Sequence, residues 1–225
     1  MNPLIAIVTC QKHAARVEAQ RQTWIPQAVE AGFDVEIFDG DRLGVPDDYY
    51  SLPLKTKAIC QWADARRYEN MLKADDDGYL VVARLRTVPH DYAGIRVPPN
   101  DLGSAVPPGT PAKPKGTYPA WYASGGAYWM TRRSICAVAE EPLGQDWAED
   151  RWVGNLLARR GIQLFELFPE FTWVPANRPV SNFCSEKVVA ITQIAVPSDI
   201  VACHSHPSIA ASFERRDVVL PLVQE

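Results

Sequence analysis

Met71-Leu72-Lys73-Ala74-Asp75-Asp76-Asp77-Gly78 sets the fold class. A short apolar run that reads as a strand ends on three carboxylates, and a glycine follows. In an α/β sheet the carboxyl end of a strand is where ligands bind. Three adjacent carboxylates repel one another strongly in a low dielectric, so a buried cluster calls for a cation. Their hard oxygens suit Mg²⁺ or Mn²⁺, ions that keep positions open for a diphosphate. Alone, the same run also reads as a solvated acidic turn, and its surroundings decide.

Outward from that point the chain alternates in the α/β manner. Leu4-Ile5-Ala6-Ile7-Val8 predicts a strand, and about His13 to Ala31 a helix that Gly32 closes as a C-cap. Val35 to Phe38 predicts a second strand running into the polar corner Asp39-Gly40-Asp41, and Leu52 to Tyr68 a helix with Leu54, Ala58, Ile59, Trp62 and Ala65 at helical spacing. Between Val88 and Pro119 eight prolines remove backbone donors, so a long inserted loop over about 88–119 is expected there. Regular structure is expected again from Tyr128 to Ala139, then a helix from about Ala148 to Arg160 stopped by Gly161, then a strand from Ile162 to Leu167. No internal repeat is visible, and one domain over residues 1–225 is expected.

The chain has 225 residues, 25.0 kDa and a formal charge of −4, with 47% hydrophobic and 22% charged residues. That composition excludes a disordered tail and a charge-run scaffold. A chain this long buries a sufficient core without disulfides or structural metal. Leu4 to Val8 is far too short to span a membrane, and Met1-Asn2-Pro3 lacks the basic start of a signal peptide. Five scattered cysteines without CxxC spacing fit a reducing cytoplasm.

Three further segments carry chemistry. In Tyr118-Pro119-Ala120-Trp121-Tyr122-Ala123-Ser124-Gly125-Gly126-Ala127-Tyr128, paired glycines between aromatics permit close backbone approach to a ligand, with rings available for a sugar face. A tight turn into a core strand reads equally well. Trp147-Ala148-Glu149-Asp150-Arg151-Trp152-Val153-Gly154 opens a helix on two acids, where good capping is the alternative. In Cys203-His204-Ser205-His206 an extended backbone would let both imidazoles bind one metal, while surface histidines explain the pair as well.

Taken in order, these segments resemble the beta-1,3-glycosyltransferase family that includes galactosyltransferases, N-acetylglucosaminyltransferases and Fringe. Ile7-Val8-Thr9, Arg16 and Arg21-Gln22-Thr23-Trp24 are similar to that family's first strand, arginine and RxTW segment. Tyr50-Ser51-Leu52-Pro53-Leu54-Lys55-Thr56, Trp62 and Lys73 to Asp77 are similar to its LKT, tryptophan and KxDDD. Tyr118-Pro119 with Gly125-Gly126, Glu149-Asp150 with Val153-Gly154, and His204-Ser205-His206 complete the likeness, which covers most of residues 4–167 plus the histidines.

The resemblance implies an α/β fold of GT-A type, a Rossmann-like mixed sheet flanked by helices. It also implies inverting transfer from a UDP-sugar with Mn²⁺ or Mg²⁺. Asp77 is implied as the carboxylate on the metal, with Asp75 and Asp76 towards ribose and sugar and His206, or else His204, as the metal histidine. Asp150 is implied as general base. Thr9, Arg16, Asp39, Lys55 and Lys73 fall to the donor side, and Trp121, Tyr122, Ser124, Gly125, Gly126 and Glu149 to the cleft. Unlike that family's Golgi members, this chain shows neither an N-terminal span nor paired cysteines, so a cytoplasmic enzyme of bacterial or phage type is expected.

From Tyr79 to Ile135 seven basic side chains face two acidic ones, on an otherwise acidic protein. Such a segment predicts either an anionic acceptor or a rim that merely balances the nucleotide. The acceptor expected is a glycan, with a hydroxymethylated base in DNA as the alternative. A nucleotidyltransferase would use the aspartates but not the Glu149-Asp150 and glycine-pair segments. A non-catalytic sugar-binding module would leave the aspartates unexplained.

Overall fold

A computed structural model describes residues 1–99, 119–143, 147–175 and 178–214. In chain order the elements are β1 (Leu4–Val8), α1 (Ala14–Arg21), α2 (Trp24–Glu30), β2 (Asp34–Phe38), α3 (Gly40–Leu43), α4 (Leu52–Ala65) and β3 (Asn70–Asp75). There follow β4 (Tyr79–Leu80), β5 (Tyr92–Val97), β6 (Tyr122–Thr131), α5 (Arg132–Glu140), α6 (Glu149–Arg159), β7 (Leu164–Glu166), β8 (Phe171–Trp173), β9 (Ala190–Thr192), α7 (Pro197–Ser205) and α8 (Pro207–Glu214).

The main sheet has the order β2-β1-β3-β6-β5-β7, and a small one runs β4-β9-β8. β1 pairs in parallel with β2 and β3, while β6 is antiparallel to both β3 and β5. The first three strands are thus a Rossmann-like half and the rest a mixed extension. Every residue of β1 is buried, as a strand covered on both faces requires. Alternation divides the core in two. Ile5, Ile7, Leu72 and Trp129 face the layer that contains Trp24, Ile191 and Cys203. Leu4, Ala6, Met71, Tyr128 and Met130 face Ile59, Val138, Val153 and Leu156 from α4, α5 and α6.

Two expectations need correction. The helix over 13–31 is broken at Gln22-Thr23, because Pro26 lacks the N–H that a continuous helix would need there and belongs in a first turn. Thr23 turns its hydroxyl back onto the Ala19 carbonyl at 2.7 Å. The proline-rich stretch also hides a strand: Tyr92-Ala93-Gly94-Ile95-Arg96-Val97 is β5, paired on both sides, with Pro89 before it and Pro98 after it. Prolines that flank a strand leave its ladder intact. The remainder of that stretch, 100–118, lies outside the described residues, and so does Tyr118.

Gly32 and Gly161 close their helices at φ +87° and +73°, as expected. Gly154 lets α6 lie against β6, since a Cβ there would stand 2.2 Å from Tyr122 Cβ. All five cysteines are free. Among the described residues no helix is long and apolar enough to cross a membrane.

Candidate active site

β3 ends at Asp75, and the chain turns through Asp76, Asp77 and Gly78 at the carboxyl edge of the parallel strands. Buried side chains beneath hold this turn. Gln20 of α1 donates through Nε2 to the carbonyls of Asp76 (3.0 Å) and Gly78 (2.9 Å), and Trp24 Nε1 donates to the same Gly78 carbonyl at 3.3 Å. The RxTW tryptophan is therefore a support for the aspartates.

The three carboxylates differ in their surroundings. Asp76 is buried and fully engaged: Thr9 Oγ1 donates to it at 2.7 Å, His13 Nδ1 lies at 2.9 Å and Arg16 Nη1 at 3.2 Å. Arg16 also reaches the Ala195 carbonyl at 3.3 Å. Among the described residues the Asp77 side chain accepts only the N–H of Gln193 at 3.3 Å, while its carbonyl accepts from Ile194. Gln193 adopts φ +62°, an uncommon left-handed backbone for a non-glycine residue. Asp75 accepts from Lys73 Nζ at 2.6 Å.

β6 pairs antiparallel with β3 in a register that sets Ala127 opposite Ala74. Residues 122–126 consequently project along the aspartate end of β3. The glycine pair lies within the strand, where a turn was one of the two expectations. Gly125 bonds both ways: its carbonyl accepts from Lys73 Nζ, and its N–H donates to Asp150 Oδ2 at 3.2 Å. Gly126 makes room for Thr192 of β9, whose Cβ a side chain there would meet at 2.6 Å.

Glu149 and Asp150 open α6, as the sequence predicts, yet they do different things. Glu149 is buried, accepting from Thr56 Oγ1 at 2.9 Å and from Tyr128 Oη, with Lys73 Nζ at 3.7 Å. Asp150 is only partly covered. Burial, with the Glu149 charge beside it, lifts the Asp150 carboxyl to about 6. Burial also raises Asp75 against the pull of Lys73, and burial with the Asp76 charge raises Asp77. Burial works against the Lys73 ammonium, but Asp75 and Glu149 outweigh it and hold it above the usual lysine range.

Lys55, expected on the donor side, is 2% exposed; its ammonium is spent on the Thr9 carbonyl (2.9 Å) and on Asp47. It braces the loop after β1 from beneath, because Asp47 has folded back over it. Asp39 caps α3, accepting from the Arg42 N–H at 2.8 Å. Of the expected cleft residues, Tyr122 and Ser124 are buried in a strand covered on both faces, while Trp121 is 42% exposed with the Arg96 guanidinium 3.8 Å from its ring centre.

The histidine segment is not extended. His204 lies in the last turn of α7, its Nδ1 2.9 Å from Tyr79 Oη, and His206 Nδ1 accepts the Ser208 N–H at 3.3 Å. Among the described residues no three His, Cys, Asp or Glu side chains gather to hold a metal. Asp75 and Asp77 nevertheless fit a hard divalent cation: among the described residues Asp75 accepts from Lys73 and Asp77 from the Gln193 N–H, so both keep acceptor capacity. Two carboxylates suffice for an Mg²⁺-type ion that takes its other ligands from water and phosphate.

Three arginines of the basic segment are bonded to neighbouring groups, whereas Arg86 and Arg96 are exposed, Arg96 against the Trp121 ring. Arg84 bonds the carbonyls of Ser185 and Val188, Arg132 pairs with Asp64 at 2.9 Å, and Arg133 pairs with Asp91 at 2.8 Å. Lys113 and Lys115 lie outside the described residues.

Sequence reasoning missed His13, Gln20, Gln193 and the aromatic group beside Asp150. Tyr49 and Tyr50 stand 43% and 40% exposed, with ring centres 6.1 and 6.3 Å from Trp147. Trp147 precedes the acidic pair, and that was the available signal.

No protein-family model and no curated protein matches the sequence. Among solved structures, the chain is similar to a glycosyltransferase involved in the glycosylation of the major capsid of PBCV-1, at TM-score 0.55 and 12% identity over 89% of this chain and 99% of that one. At that identity the likeness concerns the fold, a mixed six-stranded sheet flanked by helices, of the GT-A type expected.

Proposed function

We propose that the protein is a metal-dependent inverting glycosyltransferase that moves a sugar from a UDP-sugar to an acceptor hydroxyl, with Asp150 as general base. The observation that carries this reading is the connection through Gly125, which joins the lysine holding Asp75 to the carboxylate of Asp150. The shared fold supports it.

In this reading the acceptor oxygen forms a bond to the anomeric carbon as the bond from that carbon to the diphosphate breaks. The acceptor proton passes to Asp150, whose carboxyl, raised to about 6, is ionised and still basic near neutral pH. Lys73 holds Asp75 in place and lies beside Glu149. Arg16, Thr9 and His13 fix Asp76, so that the turn holds its shape when a charged donor arrives. Asp77 and Asp75 would hold Mn²⁺ or Mg²⁺, which when bound neutralises charge on a leaving diphosphate.

The test is to incubate the protein with UDP-sugars and Mn²⁺ and to follow UDP release. Slow hydrolysis of at least one donor is expected without any acceptor. Silence with every nucleotide-sugar would favour a sugar-binding module instead.

A further inference from the structure

The acids explain proton transfer and donor anchoring but leave three aromatic side chains at the same place unused. Trp147 lies three residues before Asp150, so a ring 6.1 Å from it is held close to the start of α6. Tyr49 is that ring, Tyr50 lies 6.1 Å from Tyr49, and both are about two-fifths exposed. They are rigidly mounted: Asp48 caps their short turn, accepting the Ser51 N–H at 2.9 Å, and Pro53 follows at the start of α4. Large exposed aromatics on a rigid turn are suited to stacking. Trp147 is itself 8% exposed, and its buried Nε1 has no hydrogen-bond partner among the described residues. A buried indole N–H without a partner is a donor available to a ligand hydroxyl.

Resting on the transferase reading, we infer that Tyr49 and Tyr50, backed by Trp147, form the platform on which the sugar rings of a neutral glycan acceptor stack beside Asp150. Sugars present C–H faces to aromatic rings and hydroxyls to carboxylates, and this corner offers both. Charge selects the neutral class. Burial and the charges of Asp150, Asp75 and Glu149 push the Tyr49 hydroxyl up to about 12, which marks the corner as electronegative. Lys73 is buried and engaged, and Arg84, Arg132 and Arg133 are bonded elsewhere. At this corner a polyanion such as DNA would meet the carboxylates of Asp150, Asp75 and Glu149.

A printed array of neutral glycans, sulfated or sialylated glycans and single-stranded oligonucleotides, probed with labelled protein, tests the inference. Capture of neutral glycans is expected, weakened about ten-fold by Tyr49→Ala with Tyr50→Ala and kept by Tyr49→Phe, which retains the ring. Should the double variant not fold, Tyr50→Ser alone keeps the comparison. Capture confined to anionic glycans or oligonucleotides, no capture at all, or equal capture by the alanine variant would overturn it. UDP release by the wild-type protein, followed in parallel, distinguishes failure of the transferase reading from failure of this one.

Discussion

The N–H of Gly125 donates to Oδ2 of Asp150 at 3.2 Å, while the Gly125 carbonyl accepts from Lys73. One peptide unit therefore spans the aspartate turn at the end of β3 and the acidic start of α6. A Cβ at 125 would stand 3.4 Å from Glu149 Oε2 and 3.5 Å from Asp150 Oδ2, ordinary contact distances. The glycine thus leaves this approach open to a ligand without being required by it.

Replacing Asp150 by Asn removes the base and is expected to lower turnover by ~10²–10⁴-fold while donor binding persists. In the wild type, protonation of a group lifted to about 6 should depress turnover progressively below that pH. The sign for stability is opposite. A carboxyl raised above its ordinary 3.8 gives stability that is full below that value and lost as pH rises through about 6. The Asn variant should therefore be more stable than wild type at pH 8, by about 1 kcal/mol, and unfold at a higher temperature. Pre-steady-state rates and thermal melts at pH 5 and 8 check both halves.

Lys73 is the buried cation between Asp75 and Glu149. Lys73→Met leaves two carboxylates without it and should cost about 3–5 kcal/mol. Adding Glu149→Gln should recover part of that loss, with a coupling of about 1–3 kcal/mol in a denaturant double-mutant cycle. Strict additivity would mean that the two groups do not interact.

Gly154→Ala puts a Cβ into the Tyr122 side chain on a helix face that is otherwise buried. Overpacking against a strand should cost about 3 kcal/mol, a fall in Tm of roughly 6–12 °C. A melt within a degree of wild type would show that α6 sits further from β6 than described.

Gln20→Ala leaves the Asp76 and Gly78 carbonyls without their buried donor. A loss of about 2 kcal/mol is expected, together with weaker donor binding, because the turn carrying Asp77 loosens. Gln20→Glu, which cannot donate, should behave like the alanine variant in calorimetric titration with UDP.

The parts that were legible in the sequence share one cause: they rest on local signals. Leu4 to Val8 as a buried strand, Gly32 and Gly161 as helix stops and the α6 start at Glu149 each depend on a few adjacent residues. Pro26 is an equally local signal, and the break before α2 follows from it. β5 was masked by its flanking prolines, although Tyr92, Ala93 and Ile95 carry the apolar character of a strand. The site is legible as a set of residue types but not as roles. Asp76 is a hub for Thr9, His13 and Arg16, and Lys55 is buried under Thr9, because the meeting of β1, α1 and β3 decides both. No spacing rule brings Gln20 beneath the aspartates or Tyr49 beside Trp147, since those contacts join residues 55 to 98 positions apart. Likewise the histidine pair's spacing suited an extended segment, whereas Pro197 starts a helix that runs to Ser205.

The account stands or falls on whether the aspartate turn anchors a nucleotide diphosphate through a divalent cation. Calorimetric titration of the protein with UDP, in Mn²⁺ and again in EDTA, addresses this most directly, with Asp77→Ala alongside. Binding that requires Mn²⁺ and vanishes in the variant is the predicted result. Equal affinity in EDTA, or unchanged binding by Asp77→Ala, would contradict it.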